Sequence, residues 1–113
     1  METKELHSAL ELEKSIKSGV ALVDFSAPWC APCRTQEPIL EQLAVEFKGK
    51  ALIAAMNVDN GQEIVGALDI RNVPTLIIFK DSQEIKRFIG VHQKNALSRE
   101  LEEALSQNRQ RAK

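Results

Sequence analysis

The stretch Val20-Ala21-Leu22-Val23-Asp24-Phe25-Ser26-Ala27-Pro28-Trp29-Cys30-Ala31-Pro32-Cys33 decides how this chain folds. Its first six residues are apolar and rich in β-branched side chains apart from Asp24, the composition of a buried strand. Pro28 and Pro32 bracket a turn. A helical pattern follows to about Lys48, with Ile39, Leu40, Leu43, Ala44 and Phe47 recurring at helical spacing. Pro38 falls inside that helix and is expected to bend it, because its ring clashes with the preceding turn and it brings no N–H. Strand, tight turn and helix therefore meet at the only two cysteines of the chain.

On the N-terminal side, Thr3 to His7 reads as a short edge strand. Ser8-Ala9-Leu10-Glu11 has the form of a capping box opening a helix that carries Leu10, Leu12 and Ile16 and stops by Gly19. On the C-terminal side, Ala51 to Val58 reads as a strand, and Asn60-Gly61 opens a short helix with Ile64, Val65 and Leu68. Thr75 to Lys80 and Glu84 to Ile89 form a hairpin around Asp81-Ser82. A last amphipathic helix from about Gln93 carries Ala96, Leu97, Leu101, Ala104 and Leu105. The sum is an α/β fold with a central mixed sheet and helices on both faces. It forms one domain over 1–113, with a core over about 6–106 and a polar tail over 107–113 that is expected to fray.

The 113 residues suit one domain, 43% of them apolar and 27% charged. At that length folding hides roughly two-thirds of the extended chain's surface, so no metal or structural disulfide is required to hold a core. The net charge of −1 and a pI near 6.1 point to no general affinity for nucleic acid or anionic membranes. No apolar run approaches the roughly 18 residues that cross a bilayer. The charged stretch Met1 to Leu12 lacks the apolar core of a secretion signal, so a cytoplasmic location is expected. In that reducing compartment a lone cysteine pair points to catalysis or metal binding before a structural staple.

Two residues between Cys30 and Cys33 put the sulfurs on one face of a helical turn, about 5–6 Å apart at Cβ. Small adjustments bring such a pair to disulfide distance. Cys30 falls at the helix N-terminus, where unpaired amides and the helix dipole favour an anion and lower the thiol pKa. Cys33, one turn in, should be more buried and act as the resolving thiol. A bare Cys-x-x-Cys is also half a zinc site. Zinc takes about four ligands, however, and only His7 and His92 remain as nitrogen donors, in separate elements. Two inert buried cysteines are the third reading, disfavoured by the strand-to-helix turn.

With these residues in view, the chain resembles the thioredoxin family from about Leu6 to Ser106. The resemblance rests on Val23-Asp24-Phe25, Trp29-Cys30-Ala31-Pro32-Cys33, Pro38-Ile39-Leu40, Asn57-Val58-Asp59, Ile70-Arg71-Asn72-Val73-Pro74-Thr75 and Ile89-Gly90, in that order. It implies a thioredoxin fold and a protein-disulfide reductase active in cell redox homeostasis and electron transport. Cys30 would be the nucleophile, Cys33 the resolving thiol and Asp24 a buried general acid/base serving Cys33. Without the resemblance, a strand-end cap is the lesser reading of Asp24. The resemblance further implies a cis Val73–Pro74 bond facing the cysteines and Trp29 over the site. Ala31, Pro32, Val73, Pro74, Ile89, Gly90 and Val91 would complete a docking face for the substrate chain. It implies disulfide-containing proteins and a thioredoxin reductase as partners, a monomer, and no cofactor or metal beyond the redox-active Cys30–Cys33 disulfide.

Four residues depart from the family pattern. Ala31 stands for the usual Gly. Ala55 stands where many members carry a lysine near the buried carboxylate, which should raise the pKa of Asp24 further. Asp69 and Ser82 replace common turn glycines, and Ser is the less comfortable at positive φ. Pro32, where oxidants and isomerases of the family carry His, favours a reductant. Reference potentials are about −270 mV for thioredoxin and about −180 mV for the isomerase. A partner-specific oxidoreductase with a surface tuned by Ala31 and His92, and a non-catalytic binding module, are the alternative functions.

Overall fold

The seven residues Val20–Ser26 form the central strand of a five-stranded sheet in the computed structural model, which describes residues 2–111 and side chains through Ser106. In chain order the elements are β1 (Lys4–Leu6), α1 (Ala9–Ser15), β2 (Val20–Ser26), α2 (Ala31–Glu46), β3 (Leu52–Asn57), a 3-10 turn at Val58–Asn60, α3 (Gln62–Ala67), β4 (Thr75–Lys80), β5 (Gln83–Ile89) and α4 (Lys94–Arg111). The sheet order is β1-β3-β2-β4-β5. β3 runs parallel to β1 and β2, whereas β4 is antiparallel to β2 and β5 to β4. The mixed sheet read from the sequence is present. Of the expected tail, residues 107–111 continue α4, and Ala112 and Lys113 lie outside the described residues.

Side-chain alternation along β2 divides the core between the two faces of the sheet. Val20 and Leu22 pack with Leu40 and Leu43 of α2, Phe47 at its C-cap, and Leu97 and Leu101 of α4. Ala21, Val23 and Phe25 point the other way and pack with Leu12 and Ile16 of the α1 segment, Met56 and Ile70. Helices thus cover both faces, and β2 is buried on each side, as its apolar run, interrupted by Asp24, requires. Lys80 is buried among these groups, and its ammonium donates to the Ala104 carbonyl at 2.8 Å, so the buried charge is not left bare.

Several local expectations are refined. The Ser8 hydroxyl accepts from Glu11 N–H at 3.1 Å, but the Glu11 carboxylate returns to His7 N–H at 2.8 Å rather than to Ser8. Leu10 and Ala96 are exposed, because each falls on the outer side of its helix. The β4–β5 turn takes Asp81 and Ser82 through positive φ, at 50° and 76°. That turn is fastened to the end of α1: Asp81 N–H donates to the Gly19 carbonyl and Ser82 N–H to that of Ile16. Pairing slips by one residue between Ile78 and Phe79, which oppose Lys86 and Glu84 and leave Ile85 over as a bulge.

Candidate active site

Register places one end of the sheet under the cysteines. Phe25, Thr75 and Ile89 lie in a row across β2, β4 and β5. The chain leaves β2 at Ser26, turns through Ala27 with Cys30 N–H bonded to the Ala27 carbonyl at 3.2 Å, and starts α2. Cys30 is the N-cap, and Pro32 in the first turn gives up an amide that has no helical partner in any case. Cys33 N–H donates to Cys30 Sγ at 3.2 Å. The sulfur thus occupies the place usually taken by a capping oxygen, where a helix start stabilises negative charge.

The two sulfurs are joined as a disulfide, with the Cα atoms 5.3 Å apart. Cys33 is 1% exposed and Cys30 5%, the order in which an attacking thiol precedes a resolving one. Among the described residues no group of three or more His, Cys, Asp or Glu side chains is arranged to hold a metal ion. His7 follows the edge strand β1 and His92 lies in the β5–α4 loop, so the two histidines come from separate parts of the sheet.

Asp24 shares the side of β2 occupied by Val20 and Leu22, the side that α2 covers. It is 1% exposed, and neither carboxyl oxygen has a hydrogen-bond partner among the described residues. Burial, followed by the nearby charges of Glu37 and Glu5, pushes its pKa up to about 7. Its neighbours across the sheet are Ala55 on β3 and Leu76 on β4, so no cation stands opposite it in the sheet. A cavity of about 450 Å³ adjoins it, lined among others by Glu5, Glu37, Pro38 and Ala55. A carboxyl in this setting exchanges its proton near neutrality, where an ordinary Asp is fully ionised.

Two loops complete the rim. The Val73–Pro74 peptide is cis, and the Val73 carbonyl oxygen lies 3.6 Å from Cys30 Sγ. Gly90, at φ +88° where a side chain would be strained, donates its N–H to the Pro74 carbonyl at 2.9 Å. Trp29, just before Cys30, is 70% exposed and Ile89, opposite Thr75 at the end of β5, is 58% exposed, so neither fills the core. Ala31 and Pro32 are exposed on the first turn of α2, Val73, Gly90 and Val91 are half-buried, and Pro74 is buried. Every residue anticipated for the site comes from a segment at this end of the sheet.

Sequence reasoning missed Gln36. It lies on the buried stripe of α2 between Cys33 and Leu40, is 0% exposed, and bonds the backbone of His92 with both ends of its amide. Its signal was present: counting back from Leu43 and Leu40 at helical spacing reaches a polar residue in core phase. Glu37 and Glu5 were missed too, since their effect on Asp24 depends on packing between distant segments.

Comparison with known proteins gives a consistent result. A family model described as Thioredoxin matches residues 3–103. A thioredoxin of Staphylococcus aureus is 38% identical over 95 residues, covering 84% of this chain and 91% of that protein. Among solved structures, a point mutant of Halobacterium salinarum thioredoxin superposes with a TM-score of 0.84 at 32% identity, over 91% of this chain and 90% of the other. Fasciola hepatica thioredoxin superposes with a TM-score of 0.81 at 32% identity, over 90% of this chain and 99% of the other.

Proposed function

The chain belongs to the thioredoxin family and is a thiol–disulfide oxidoreductase that reduces protein disulfides; from that premise we propose how its own residues divide the work. Cys30 as thiolate attacks one sulfur of a substrate disulfide, forming a mixed disulfide and expelling the other sulfur, which takes up a proton. Cys33 loses its proton to Asp24 and attacks Cys30 Sγ, closing the intramolecular disulfide and releasing the second substrate thiol. The substrate gains two electrons and two protons and the dithiol loses them. Proximity makes the second step unimolecular. The observation that carries this reading is the Cys30 sulfur accepting the Cys33 amide at the N-cap of α2.

Asp24 fits its role because a carboxyl with a pKa of about 7 can both accept and return a proton at neutral pH. Val73 fits substrate docking because its backbone makes no hydrogen bond with other backbone groups among the described residues and so can pair with an extended chain. Trp29, Ala31, Pro32, Ile89, Gly90 and Val91 supply the apolar surround, and Pro74 holds the Gly90 loop. Pro32 offers no hydrogen bond to a thiolate, which fits a reductant.

Thioredoxin family membership implies disulfide-bearing substrates and a thioredoxin reductase as electron source. We place the protein in the cytoplasm as a monomer in electron transport, with no nucleic-acid or membrane partner. Its small net charge supports the lack of polyanion affinity, and a dithiol function suits a reducing compartment. The sulfur pair itself carries both electrons, so the reaction calls for no cofactor or metal. Insulin disulfide reduction tests the assignment. Cys30→Ser is expected to abolish turnover, and Cys33→Ser to accumulate covalent complexes with substrate; turnover retained in Cys30→Ser would overturn it.

A further inference from the structure

We propose that Gln36 is a positioning residue for substrate docking, holding the β5–α4 loop against the cysteine-bearing helix through a double hydrogen bond to His92. Gln36 Nε2 donates to the His92 carbonyl at 2.9 Å, and His92 N–H donates to Gln36 Oε1 at 2.8 Å. The side-chain amide thus stands in for a neighbouring strand, using both its donor and its acceptor on one residue.

The position is costly for a polar group. Gln36 is fully buried on a stripe whose other members are Cys33, Leu40, Leu43 and Ala44. A buried amide is tolerated there because both ends are satisfied. An apolar replacement would instead leave the His92 N–H and carbonyl unpaired.

The loop is pinned at further points. Gly90 N–H is held by the Pro74 carbonyl, next to Val73. The His92 ring donates from Nδ1 to the Gly90 carbonyl at 3.0 Å, and it meets Phe88 edge-on with ring centres 5.0 Å apart. The carbonyl can only accept, so Nδ1 carries a hydrogen. Gln36 connects this loop to α2 only one turn beyond Cys33. Helix, Pro74 loop and Gly90 loop are therefore locked into one frame, and Gln36 is the side-chain tie between the first and the third. Ile89, Gly90 and Val91 keep a fixed placement relative to the cysteine-bearing helix as a result. The inference rests on the reading of those three residues as a docking surface.

Gln36→Leu tests it with two substrates, insulin and the small hydroxyethyl disulfide, together with hydrogen exchange of the His92 amide. The expected result is a KM for insulin raised about tenfold with kcat within about twofold. Hydroxyethyl disulfide reduction and the pH profile of Cys30 alkylation should stay unchanged, and the His92 amide should exchange faster. Gln36→Met, close to glutamine in shape but without its donor and acceptor, should give a similar rise in KM, so the test survives if the leucine variant does not fold. Equal losses on both substrates, or an unchanged insulin KM with an accelerated His92 amide, would overturn the positioning role. Native protein inert toward both disulfides would instead overturn the reading of the site.

Discussion

Asp24 shows how one side chain couples stability to chemistry. In the unfolded chain its carboxyl ionises near 3.8, whereas the folded protein holds the proton to about 7. Between those values the native state binds a proton that the unfolded chain has shed, so stability falls as pH rises through this window. The loss amounts to about 4 kcal/mol by the time the folded group has ionised. Asp24→Asn cannot ionise and escapes the loss. Its stability relative to the native protein should climb by about 4 kcal/mol from about pH 4 to about pH 8.5 and then level off. Urea unfolding at the two ends of this range measures the difference, and an equal difference at both would contradict the account. Asp24 stood out in the sequence as a lone carboxylate in an apolar strand. Its acid neighbours Glu37 and Glu5 did not, because a charge acts through space and their proximity exists only after α2 and β1 pack at the same end of the sheet.

Elements were readable wherever a local rule governs them. β2 and α2 announced themselves by composition and period, and the N-cap Ser8 by its spacing to Glu11. Only the last detail of that cap, Glu11 reaching His7 rather than Ser8, depended on how the chain enters the helix. The β4–β5 turn is the element most at odds with its sequence. Ser82 sits at φ 76°, a conformation that disfavours a Cβ by roughly 1–2 kcal/mol. It is retained by tertiary bonds, its N–H to the Ile16 carbonyl and the neighbouring Asp81 to Gly19. Ser82→Gly should therefore stabilise the protein by about 1 kcal/mol, while Ser82→Ala should leave it nearly unchanged. Thermal or urea unfolding of the pair measures this, and a glycine variant no more stable than the alanine one would show that the turn is unstrained.

At the scale of the whole molecule, topology assembles the site. Phe25 one residue before the end of β2, Thr75 at the start of β4 and Ile89 at the end of β5 share one row, because β4 runs against both of its neighbours. The cysteine turn after β2, the Val73–Pro74 loop before β4 and the Gly90 loop after β5 are brought together by that single register. Alternating strand and helix patterns indicated a mixed sheet but not the order β1-β3-β2-β4-β5, which is a matter of long-range pairing. Nor could they indicate that Gln36 would tie two of the loops' supports together, since the partner is backbone 56 positions away in sequence.

What this assembly produces is an acidic thiol at a helix start. The rate of Cys30 alkylation in the reduced protein, followed against pH, reports it directly. A thiol held there by the helix start has an apparent pKa clearly below the roughly 8.5 of free cysteine. A value at or above that of free cysteine would contradict it.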